Sequence, residues 1–116
     1  MLIFKKKKIV TYLQNIPPEE CVTFNILLAD YLDGTLKNSL YTLGISKANI
    51  HIDWLEHHKC IGIQGKYENY YMDLHIYPDE FMVAFDLDEA DEDIVYPLTS
   101  KAQFFQVLYD TIAHLK

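Results

Sequence analysis

The 116-residue chain contains no arginine: all ten of its basic residues are lysine, set against seventeen acids for a net charge of −7. Arginine supplies the planar fork that grips phosphate and guanine in two places at once, so its absence argues against nucleic-acid recognition. Cysteine is equally sparse. Cys21 and Cys60 share no repeated spacing and exclude a disulfide framework; both read as buried or half-buried thiols. No run approaches the roughly 18 apolar residues of a membrane span. The opening Met1-Leu2-Ile3-Phe4 precedes the Lys5 to Lys8 run, whereas a secretory signal carries charge first and a longer apolar stretch second. The expectation is a soluble cytoplasmic protein that binds neither membrane nor nucleic acid. The four glycines are isolated, so no phosphate-cradling loop is present.

What is abundant is apolar and aromatic surface, 50% and 14% of the residues. That content places the chain in the folding regime, at a length that suits one domain over 1–116. Ile9, Leu13 and Ile16 fall on one helical stripe, predicting a helix over about 5–15 that Pro17-Pro18 ends. Glu19-Glu20 suit the positive end of a second helix, about 18–32, whose stripe is Cys21, Phe24, Leu28, Tyr31 and Leu32, closed by Gly34. A third stripe, Leu36, Leu40 and Leu43, predicts a helix over about 35–43 that stops at Gly44.

From Asn49 the apolar period changes from 3.6 to 2, predicting strands over about 49–55, 60–65, 70–77 and 80–86. Turns at His57-His58, Glu68-Asn69 and Pro78-Asp79 make a test of register. They set Trp54 against Ile61 and Ile52 against Ile63. They also set Ile63 against Leu74, Ile61 against Ile76, and Leu74 against Val83, with Met72 against Phe85. Every large apolar side chain then lies on one face, and a slip of one residue in any hairpin would break the pattern. His-His and Glu-Asn lack the glycine of tight primed turns, which leaves room for longer loops. Ile94-Val95-Tyr96 predicts an edge strand ending at Pro97. Thr99 or Ser100 can cap a last helix over about 100–115, with Phe104, Phe105, Leu108, Ile112 and Leu115 on its apolar stripe. The predicted fold is two-layer α+β: an antiparallel four- to five-stranded meander with N-terminal helices and a C-terminal helix packed on one face.

That register sends His51, Asp53, Cys60, Gly62, Gln64, Tyr71, Asp73, His75 and Tyr77 to the other face. Asp53 and His75 lie on either side of Gly62, about 10 Å apart at two strand spacings, too far to share a zinc at about 2.0–2.2 Å. The polar face therefore reads as solvated or partner-facing, and Tyr71 and Tyr77 beside its acids suit protein binding. His57-His58-Lys59-Cys60 lacks a second pair to complete a tetrahedral metal site and reads as a loop. Between the fourth strand and Ile94, Asp86, Asp88, Glu89, Asp91, Glu92 and Asp93 put six acids in eight residues. A calcium loop would need a glycine and a final glutamate where this segment has Asp91 and Pro97. The remaining readings are a solvated acidic turn or an electrostatic docking edge for a basic protein. The Lys5 to Lys8 run reads as a solvated helix face.

These features favour a non-enzymatic binding protein with no metal and no cofactor. Its expected contacts are Asp53, Tyr71, Asp73, His75, Tyr77 and the six loop acids. In class, though in no motif, it resembles the small acidic α+β inhibitors of bacterial toxin–immunity pairs and the secretion chaperones. The resemblance implies a basic toxin or secreted effector as partner. The competing expectation is a metal-dependent or small-molecule enzyme using His51, Asp53, Asp73 and His75. A third is a homodimer that buries the open face.

Overall fold

A computed structural model describes residues 21–85 and 94–115. The expected helix over about 5–15 and the six acids of the 86–93 segment lie outside the described residues. Among those described, three helices and one five-stranded antiparallel sheet form an α+β meander fold. Helix α1 is Val22–Asp33 and α2 is Thr35–Thr42. The strands β1 (His51–Leu55), β2 (Cys60–Tyr67), β3 (Tyr70–Ile76), β4 (Glu80–Phe85) and β5 (Ile94–Pro97) follow in sequential order, and α3 (Lys101–His114) closes the chain.

Glycine decides how the first two helices end. Gly34 takes φ +89° and serves as both the last cap of α1 and the first cap of α2. Gly44, at φ +101°, lies beneath the Tyr67 ring: a Cβ there would stand 2.9 Å from Tyr67 Cε2. A side chain at Gly44 would meet both backbone strain and a clash. The start of α1 differs from the expected 18. Cys21 is its capping residue, and its buried side chain joins Phe24 and Leu28 in the core as the stripe expects. Leu27 joins Phe24 and Leu28 in the core, a position the expected stripe omitted.

The sheet has the predicted register throughout. Trp54 pairs with Ile61, Ile63 with Leu74, and Leu74 with Val83. The first loop is longer than the His57-His58 turn. Leu55 pairs with Cys60, which leaves four residues between them, and Lys59 takes φ +53°. Glu56 stabilises this loop by accepting from Trp54 Nε1 at 2.9 Å and from Lys59 Nζ at 2.6 Å. Polar side-chain bonds thus replace the turn glycine. The second strand also runs two residues past the expected 65, to Tyr67.

Packing places all three helices on one side of the sheet. Phe24, Leu36 and Phe104 from the helices join Ile61, Leu74 and Phe81 from the strands in a single buried cluster. Burying each such side chain contributes about 1.5–3 kcal/mol. The Phe81 and Phe104 rings meet edge to face with centroids 4.9 Å apart, which fixes α3 over β4. Lys101 at the start of α3 pairs with the largely buried Asp30 carboxylate of α1 at 2.5 Å. Among the described residues no helix is long and apolar enough to cross a membrane.

Candidate functional site

With the helices on one side, the opposite face of the sheet is left uncovered by any described helix. Period-two alternation selects its residues, and the register arranges them in rows. One row runs Asp53, Gly62, His75, Met82 and Val95 from β1 to β5. The neighbouring row is His51, Gln64, Asp73 and Ala84. Lys66 and Tyr71 form a further pair toward the β2–β3 turn.

His75 is the centre of this face. Asp73 Oδ1 is 3.4 Å from its Nε2, an ion pair whenever the ring is protonated. The Tyr77 ring approaches it edge-on at 6.4 Å, and His58 from the first loop stacks beside it at 6.5 Å. Tyr71 is 62% exposed, and Lys66 Nζ lies 5.1 Å from its ring centroid. Asp53 is half-buried, and its Oδ1 accepts from the Trp54 backbone N–H at 2.8 Å. The structure therefore brings Asp73, His75 and Tyr77 together, with Asp53 in the same row as His75 and Tyr71 to one side.

Sequence reasoning placed Cys60 on this face as a buried or half-buried thiol, which its burial agrees with, but did not single out its partnership with Tyr77. Cys60 is fully buried, and Leu55 lies over the adjacent Gly62, where an added Cβ would stand 2.7 Å from Leu55 Cδ1. Burial pushes the Cys60 thiol above its ordinary value, a hydrogen bond from the Tyr77 hydroxyl partly offsets this, and the Asp73 charge adds to the rise. Tyr77 is raised as well, first by desolvation and then by Cys60 and Glu80. The alternation that set Cys60 opposite Tyr77 was the available signal for this pair.

A concavity on this face, lined by Asp73, His75, Met82, Val83 and Ala84, holds about 50 Å³, enough for a water or two. Among the described residues no group of three or more His, Cys, Asp or Glu side chains is placed to hold a metal ion. A flat face with an exposed tyrosine, a second tyrosine at its edge and two carboxylates offers hydrogen bonds and aromatic area to another surface. Comparison with known proteins finds no matching family model, no matching curated protein and no matching solved structure.

Proposed function

We propose that the chain is a non-enzymatic binding protein that docks a basic partner protein through the uncovered sheet face, in the manner of an immunity-type inhibitor or a secretion chaperone. The observation that carries this reading is the exposed Tyr71 beside Asp73, His75 and Tyr77 on a face that no described helix covers. Tyrosine combines large apolar area with a polar tip and loses little entropy on docking, which suits the centre of an interface. The carboxylates of Asp53 and Asp73 and the six acids between Phe85 and Ile94 in sequence supply charge that attracts lysine and arginine.

Affinity capture on the immobilised chain, followed by titration with the purified captured protein, tests the reading. A partner of net positive charge is expected, with affinity that falls as salt rises. Tyr71→Ala is expected to weaken binding by tenfold or more, as for an interface hot spot at roughly 2 kcal/mol. Asp73→Asn should slow association more than it speeds release. Saturable binding of an acidic partner, or binding unmoved by Tyr71→Ala and by neutralising the acids of the 86–93 segment, would overturn the proposal.

A further inference from the structure

A second concavity lies on the other layer, away from the face just described. It opens between the end of β4, the start of β5 and the C-terminal half of α3, and encloses about 680 Å³. Its floor is the end of β4, Val83, Ala84 and Phe85, beside Ile94 and Tyr96 of β5. Helix α3 carries two stripes. Phe104, Leu108 and Ile112 enter the core, while Val107, Asp110, Thr111 and His114, spaced i, i+3, i+4 and i+7, turn a second flank toward the cleft.

The lining is apolar except along that helix flank. Val83 and Phe85 are buried at the base, and Ile94, Val107 and Leu115 form the sides. The volume lies within the roughly 300–1,000 Å³ of small-molecule sites.

Hydrogen bonding within α3 fixes what the polar flank can offer a ligand. His114 Nδ1 donates to the Asp110 carbonyl at 2.7 Å, since a carbonyl can only accept, so Nε2 is an acceptor whenever the ring is uncharged. The Thr111 hydroxyl donates to the Val107 carbonyl at 2.7 Å, which leaves its lone pairs. Asp110 Oδ1 accepts from Gln106 at 2.9 Å, and Asp110 Oδ2 remains to accept another bond. One turn of helix thus presents three acceptors, one of them anionic. Among the described residues no lysine lines the cleft, and Tyr96 holds the only phenol in it.

An ammonium group has three donors, no acceptor and a positive charge, which complements this flank; a carboxylate would face acceptors and a like charge. We infer that the cleft is a binding site for a small apolar amine, with its hydrocarbon against Val83, Phe85, Ile94 and Leu115 and its ammonium against Asp110, Thr111 and His114. The site shares Val83 and Ala84 with the small concavity of the docking face but none of Tyr71, Asp73, His75 and Tyr77, which carry that proposal, so either reading can fail without the other.

Titration of the purified chain with octylamine, followed by methyl and amide NMR, tests the inference, with octanoate and octanol as equal-length controls. Expected is saturable binding of octylamine, with shifts concentrated at Val83, Ile94, Val107 and Leu115, and at least tenfold weaker binding of octanoate. Asp110→Asn, a change at an exposed position, should bring octylamine close to octanol; Val107→Trp should abolish binding of both while the remaining amide spectrum is retained. Binding of octanoate as tight as that of octylamine, absence of saturable shifts, or contacts in the free protein between the cleft methyls and Leu2, Ile3 or Phe4, showing the chain itself as occupant, would each overturn it.

Discussion

Cys60 and Tyr77 show how one pair of side chains can couple folding to pH. In the folded protein both protons are held more tightly than in the unfolded chain, chiefly because burial disfavours thiolate and phenolate. A group whose folded value is raised stabilises the protein fully below its unfolded value, here 9.0 for the thiol, and that contribution is lost as pH climbs through the folded value. Tyr77 acts with the same sign in a window that begins higher, at 10.0. Urea midpoints are therefore expected to fall between about pH 8 and about pH 10 in the wild-type chain. In Cys60→Ala the fall should be shallower over the same interval. An equal fall in both proteins would assign the alkaline loss to other groups. Asp33 works in the opposite direction: its carboxylate bonds to Thr35, including the backbone N–H at 2.8 Å, which lowers its proton affinity, so its contribution is present at neutral pH and lost on acidification below 3.8.

Among the elements, α3 depends on its first turn. Ser100 Oγ accepts from the Gln103 backbone N–H at 3.0 Å, while the Gln103 side chain accepts from the Thr99 N–H and donates to the Pro97 carbonyl at 2.9 Å. This reciprocal cap joins the end of β5 to the start of the helix. Ser100→Ala is expected to cost about 1 kcal/mol in chemical denaturation. Ser100→Asp, which retains an acceptor and places a negative charge at the helix N-terminus, should retain most of it. The cap also shows which features can be read from sequence. Ser100 and the Phe104, Leu108 and Ile112 stripe are local patterns. The strand register is legible for a related reason: three hairpins constrain one another, and any slip would turn Ile63 or Leu74 to the wrong face. Partnership is not local. Cys60 and Tyr77 share a face with Asp73, but only the fold sets the buried thiol against the Tyr77 hydroxyl. The second flank of α3 was hidden for a similar reason. Val107, Thr111 and Leu115 recur at helical spacing, yet only the fold sets them against Val83, Phe85 and Ile94 as the walls of a cleft.

The whole molecule adds a constraint that no single element carries. Apart from Lys5 to Lys8, six lysines remain against seventeen acids, so most of the chain is more acidic than its net −7 implies. Two copies meeting through the uncovered face would bring Asp53 and Asp73 of each toward the other, with few cations among them. Lys66 is the one lysine on the strands of that face, and it lies beside the Tyr71 ring. Self-association through this face therefore sets like charges together and desolvates them, whereas a basic partner neutralises them. Sedimentation at low and high micromolar concentration is expected to show one species of 13.6 kDa in low salt. Raising the salt screens the repulsion, with a Debye length near 10 Å at about 0.1 M, and should still leave a monomer, because among the described residues the face has only Tyr71 and Val95 as large exposed apolar groups. A concentration-dependent dimer whose assembly is blocked by Tyr71→Lys would instead assign the face to a second copy of the chain, and the docking role proposed for it would have to move elsewhere on the molecule.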